Sequence, residues 1–141
     1  MEEFEIFEAI RKNKEKGGSM IGVHKSLEPV LIEEYSDNFE LIVVEVKTSN
    51  QQIRIITGYG PQESWTSDER RPFFITLEEE ISKSHTAGKP VIVELDANSK
   101  LGPEYVRGDV HIRSENGKML SSIIETHALI VANSVQGKVV D

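Results

Sequence analysis

The residues Val91-Ile92-Val93-Glu94-Leu95-Asp96-Ala97-Asn98-Ser99-Lys100-Leu101-Gly102 pass from an apolar, β-branched run directly into Asp-x-Asn and a Gly-bearing loop. That pattern predicts a buried strand ending in polar side chains. In α/β sheets the carboxyl ends of strands are where loops converge and ligands bind. On an extended backbone Asp96 and Asn98, two apart, point to the same side. One carboxylate and one amide on a shared face suit the holding of a hydrated Mg2+ or of its attacking water. The same two residue types also commonly start a turn after a strand. Glu94 is equally suited to assist a metal or to pack under the sheet. A second strand exit, Thr57-Gly58-Tyr59-Gly60-Pro61-Gln62, brings a phenol that can donate to a phosphate oxygen, and a proline that fixes where the loop points. An ordinary strand-end tyrosine with its hydroxyl in solvent has the same local sequence.

The elements that must position these residues follow from periodicity. Residues 39–46 and 53–59 are β-branched runs separated by the polar turn Thr48-Ser49-Asn50-Gln51-Gln52, which predicts a hairpin. Residues 91–95 and 128–132 read as two further strands, and Met20-Ile21-Gly22-Val23 as a short fifth after the break at Gly17-Gly18. Phe74, Leu77 and Ile81 recur at helical spacing opposite Glu78, Glu79 and Glu80, and Pro72 suits the first turn of that helix. Met119, Leu120, Ile123 and Ile124 define a second helix, with Ser114 and Asn116 as candidate caps. Residues 4–10 satisfy neither period and fit a strand or a helix. Hairpin, helix, strand, helix, strand is an α/β order: a mixed β-sheet with flanking helices.

Composition narrows the function classes. The chain of 141 residues has material for one packed domain. Its net charge of −8, from 24 acidic and 16 basic side chains, argues against broad electrostatic capture of nucleic acid. It leaves room for a carboxylate site where a divalent cation meets the phosphate. With no cysteine there are no disulfides and no thiolate zinc sites, which allows an intracellular setting, nucleus or cytoplasm. No apolar run has membrane-spanning length, and Met1-Glu2-Glu3 lacks the basic start of a secretory signal.

Taken in order, residues 17–134 resemble the endonuclease/exonuclease/phosphatase family, most of all the endonuclease domains of non-LTR retrotransposons. Gly17-Gly18-Ser19-Met20-Ile21-Gly22-Val23 is similar to that group's Gly-Gly-led strand. Tyr59-Gly60-Pro61-Gln62 is similar to its Tyr-x-Pro-Asn loop, with Gln62 departing. Leu95-Asp96-Ala97-Asn98 looks like its Gly-Asp-Phe-Asn motif, with Leu95 and Ala97 departing. Asn116-Gly117-x-x-Leu120, then Leu129 and Asn133, resembles the helix and strand that follow. The resemblance implies part of a four-layer α/β sandwich, Mg2+ (or Mn2+) as cofactor, and DNA as substrate within a protein that also carries a reverse transcriptase. It implies that Asp96 binds metal and orients or activates water, that Asn98 helps place the phosphate, and that Tyr59 hydrogen-bonds a phosphoryl oxygen as charge builds there.

The family's Asn-bearing and Glu-bearing strands precede anything matched here, and its closing Asp-bearing strand and Asp-His pair follow. The expectation is therefore a single partial domain, 1–141, with little or no hydrolysis by itself. His24, His85, His111 and His127 read as surface or cap residues rather than as the family's histidine. Arg107 and Arg113 read as solvated loop arginines, and Trp65 as a cover for the first helix rather than a base-stacking platform. The alternative function is a non-catalytic module for protein contacts, self-associating through unpaired sheet edges. A phosphomonoesterase or phospholipid phosphodiesterase of the same fold group would want a basic pocket, for which the sequence has no signal.

Overall fold

Hydrogen-bonded pairing of the β-branched runs yields two sheets in the computed structural model, which describes residues 2–12, 17–105 and 112–132. The chain divides into two compact units, Met1–Asn98 and Ser99–Asp141. The first contains β1 (Phe4–Ile10), β2 (Gly18–His24), β3 (Val30–Tyr35), β4 (Glu40–Lys47), β5 (Gln52–Tyr59), α1 (Ser67–Thr86) and β6 (Val91–Asp96). β1 and β2 form an antiparallel pair, which resolves residues 4–10 as a strand. The other four strands form one sheet in the order β3-β4-β5-β6. β4 and β5 are the expected antiparallel hairpin, whereas β5 and β6 run parallel across the α1 crossover. The fold is mixed α/β, as the element order predicts.

Alternation along β4 sorts its two faces. Ile42, Val44 and Val46 join Ala9 of β1 and Val23 of β2 in one buried cluster, so the two-stranded sheet covers that face. Leu41 and Val43 turn the other way. Tyr35, opposite Leu41 in register, donates its hydroxyl to Glu80 of α1 at 2.7 Å, which places α1 on this second face. Phe73, Leu77 and Ile81 are fully buried there, and Phe73 meets Phe39 edge-to-face at 5.8 Å. Burial and the Glu80 carboxylate together push the Tyr35 hydroxyl up, so it stays a neutral donor.

At the start of β6 the register is held by ions and backbone. Glu45 accepts from Lys89 at 2.6 Å and from Arg54 at 3.1 Å, and Arg54 N donates to the Pro90 carbonyl at 2.9 Å. The bond from Lys89 holds the Glu45 carboxyl below the usual carboxylate range, against the opposing effect of burial and with help from Arg54.

Helix α1 starts earlier than Pro72 suggests. Thr66 Oγ1 accepts from Glu69 N at 3.2 Å and Glu69 Oε2 accepts from Thr66 N at 2.8 Å, a reciprocal capping box of the Thr-x-x-Glu form. The cap outweighs the proline signal, and Pro72 lies inside the helix. β3, a strand not singled out from the sequence, lies at the edge of the sheet with a register shift between Leu31 and Glu33.

The second unit contains α2 (Glu115–Thr126). Ser114 caps it, accepting from Gly117 N at 3.1 Å, while Asn116 lies buried in its first turn. A side chain at Gly117 would strike the Lys100 carbonyl, so the helix can begin there only with glycine. The strand expected at 128–132 is absent: Ala128 takes a positive φ of 52°, Leu129 N bonds to the Ile124 carbonyl at 2.9 Å, and Ile130 is 84% exposed. Among the described residues no strand pairs with this run, and an apolar run alone does not make a ladder.

Candidate functional site

The chemistry-bearing residues collect at one end of the four-stranded sheet. Parallel pairing sets Tyr59, the last residue of β5, opposite Asp96, the last residue of β6. Directly paired residues in a sheet present their side chains on one face, about 4.8 Å apart along the hydrogen-bonding direction. The antiparallel register extends the row, setting Glu40, the first residue of β4, opposite Tyr59 on its other side. Glu40, Tyr59 and Asp96 therefore lie side by side on the face shared with Ile42 and the two-stranded sheet.

The two strand exits are tied together by backbone and amide. Gly60 N donates to the Asp96 carbonyl at 2.7 Å, continuing the ladder one residue beyond β5. Asn98 Nδ2 donates to the Gly60 carbonyl at 3.0 Å, bridging the loop after β6 back to the loop after β5. Asn98 adopts φ 44°, a left-handed conformation that asparagine accepts more readily than most residues. The same-side placement of Asp96 and Asn98 expected of an extended backbone does not apply, because β6 ends at Asp96. The amide comes near by turning back, with its N–H2 committed to a carbonyl. No side chain fits at Gly60, where a Cβ would lie 2.5 Å from the Ala97 carbonyl oxygen.

Around this rim the side chains differ sharply in exposure. Asp96 is exposed, Tyr59 and Asn98 are half-buried, and Pro61 is buried. Asp96 Oδ1 takes a long bond of 3.4 Å from Asn98 N. Glu94 stands opposite Thr57 on the same face as Asp96 and is exposed, so it does not pack under the sheet. Among the described residues no group of three or more His, Asp or Glu side chains gathers to hold a metal ion. Asp96 offers one carboxylate, which by itself suits a largely hydrated cation and not a closed site.

Residues that sequence reasoning did not select complete the rim. Arg11 donates to both carboxylate oxygens of Glu40, at 2.8 and 2.6 Å, with Arg11 7% exposed and Glu40 fully buried. The Arg11 guanidinium also lies over the Trp65 ring, 5.0 Å from its centroid. From α1, Arg70 Nη2 donates to the Glu63 carbonyl at 3.1 Å and also to the Trp65 carbonyl. A charge inside the apolar run of β4 was the available signal, since a buried carboxylate demands a partner. Which partner is not visible without the register.

The other polar candidates resolve simply. His24 caps the 3-10 turn Lys25–Leu27 by accepting from Ser26 N at 3.2 Å, and His127 is the C-cap of α2. Arg113 is engaged within its own unit, donating to the Leu101 carbonyl at 3.1 Å and to Glu104 at 2.7 Å. Arg107, His111 and Asn133 lie outside the described residues.

No protein-family model matches the sequence, and no curated protein matches it. Among solved structures, the endonuclease domain of TRAS1, a telomere-specific non-LTR retrotransposon, matches 88% of this chain with a TM-score of 0.55 and 15% sequence identity. The match covers 52% of that chain, so the present sequence spans about half the length of its structural neighbour. At that identity the likeness is one of fold alone, a mixed α/β fold like that of a retrotransposon endonuclease domain.

Proposed function

We propose that this chain is the middle portion of a metal-dependent phosphodiesterase domain, a DNA endonuclease domain of a retroelement protein whose further parts include a reverse transcriptase. One observation carries the reading: a phenol and an exposed carboxylate end adjacent parallel strands on one face, in a fold like that of a retrotransposon endonuclease. Tyr59 donates its hydroxyl to a phosphoryl oxygen, stabilising charge as it develops. Asp96 orients the attacking water and accepts its proton. Asn98 holds the two loops at the spacing a phosphate needs. Mg2+ or Mn2+ near Asp96 would supply Lewis-acid polarisation of the phosphate. The setting is intracellular, nucleus or cytoplasm, with DNA as substrate.

With one exposed carboxylate beside Tyr59 and, among the described residues, no cluster of three His, Asp or Glu side chains, the chain is expected to nick supercoiled plasmid in Mg2+ very slowly or not at all. Robust nicking would show that the family's Glu and Asp-His residues are dispensable. The site itself is tested by titrating Mn2+ and following paramagnetic broadening of amide signals. Broadening centred on Tyr59, Asp96 and Asn98 is expected; broadening elsewhere, or none in the millimolar range, defeats the metal reading.

A second reading is a non-catalytic module that associates through its sheet edges. β6 ends the order of the four-stranded sheet, and Ile92 on it is 46% exposed. Unpaired edges invite strand addition from another chain. Gel filtration separates the two: a concentration-dependent dimer favours the module, and a monomer disfavours it.

A further inference from the structure

The loop leaving β5 is held by two buried cations. Arg70 reaches its carbonyls from α1, and Arg11, just past the end of β1, reaches the Trp65 ring. Arg11 is in turn gripped by Glu40, which stands beside Tyr59 in register. One guanidinium thus joins the end of β1, the start of β4 and the loop on which the Tyr59 rim depends.

Stability alone does not account for the pair. Exchanging a buried ion pair for apolar residues of similar volume is often neutral or stabilising, because desolvation offsets the Coulomb attraction. Nor is Glu40 the second carboxylate of a metal site. Both of its oxygens accept from Arg11, and two strand spacings, about 10 Å, separate it from Asp96 with Tyr59 between. A shared ion would need oxygens within about 2.6 Å. What the pair does supply is orientation. A guanidinium can bond bidentately along one edge while stacking on an aromatic face, and a lysine ammonium cannot do both.

We propose that Arg11 is the positioning residue of the Tyr59 rim: locked on Glu40 and stacked on Trp65, it fixes the loop leaving β5 and so the placement of the Tyr59 hydroxyl against Asp96. The functional meaning of that placement rests on the phosphodiesterase reading above. The positioning itself is measurable without any metal or substrate.

Trp65 is the sole tryptophan, so its emission reports this loop directly. The test compares the chain with the double variant Arg11→Met/Glu40→Leu and with Arg11→Lys, by amide hydrogen exchange and acrylamide quenching. The double variant is expected to melt within a few degrees of the parent. Its Gly60 amide should exchange about tenfold faster as local opening of the loop becomes easier, and its Trp65 should quench more readily. Amides of Ile42 and Val44 should keep their protection. Arg11→Lys, which retains the charge, should fail to restore Gly60 protection, and it carries the test should the double variant not fold. Unchanged Gly60 exchange and Trp65 quenching would overturn the proposal. A uniform rise across β4, β5 and α1 would overturn it too, making Arg11 a stability element only. Failure of the phosphodiesterase reading shows elsewhere, as absent Mn2+ broadening in the parent chain.

Discussion

Two carboxylates flank Tyr59 on one face of the sheet, and their surroundings give them opposite roles. Glu40 is fully buried, with both oxygens bonded to Arg11. Asp96, on the other flank, is exposed and takes one long bond from Asn98 N. Residue chemistry, row and face are the same, and what differs is position along the sheet. β4 is central and covered by the two-stranded sheet, while β6 ends the strand order. A carboxylate on a central strand must find a permanent partner; on an edge strand it can stay open to a ligand. The end of the sheet therefore separates a structural charge from an available one within three strands.

Substitution on the buried side should break the contrast most visibly. Glu40→Ala leaves the Arg11 guanidinium buried without its carboxylate, and unfolding in urea should show a loss of about 3–5 kcal/mol. A loss under about 1 kcal/mol would mean that Arg11 finds water easily, and that the two flanks are less different than their burial implies. Next in size is Gly60→Ala. The new methyl would lie 2.5 Å from a backbone oxygen of Ala97, so the exits of β5 and β6 must move apart. Overpacking of this kind costs about 1–3 kcal/mol. The bond from Gly60 N to the Asp96 carbonyl should weaken with it, seen as faster exchange at Gly60. Intact exchange there would mean that the strain is absorbed in the loop after Asp96, not between the strands.

How much of this was readable in advance depends on sequence distance. The β4–β5 hairpin, β6 and the apolar stripe of α1 are local patterns, so β-branching, a polar turn and helical spacing were enough to find them. Strand 128–132 was misread for the converse reason: its apolar run looks like β6, yet strand formation requires a neighbour, and the run instead closes the α2 terminus with Ala128 at positive φ. The site shows the same division. Tyr59 and Asp96 stand out individually as polar residues at strand ends, but their adjacency depends on parallel pairing across a helix. The Arg11–Glu40 pair depends on two sheets meeting. Chemistry at strand ends was legible from residue type; partnership was not, because register and sheet packing are non-local.

The smallest effect on stability is expected at the open flank, and its smallness carries information. Asp96→Asn keeps the size of the side chain and an oxygen that can still accept from Asn98 N. An exposed edge-strand position of this kind should change unfolding free energy by no more than about 0.5 kcal/mol. The same substitution removes the exposed carboxylate beside Tyr59, so Mn2+ broadening at Tyr59 and Asn98 should disappear with it. A destabilisation of about 2 kcal/mol would instead be the scale expected of a buried polar group losing its partner. That result would make Asp96 a turn residue of the kind its sequence context also permits, and both flanks of Tyr59 would then be structural. A near-silent effect on stability with a complete loss of cation contact is the combination that only an available carboxylate gives.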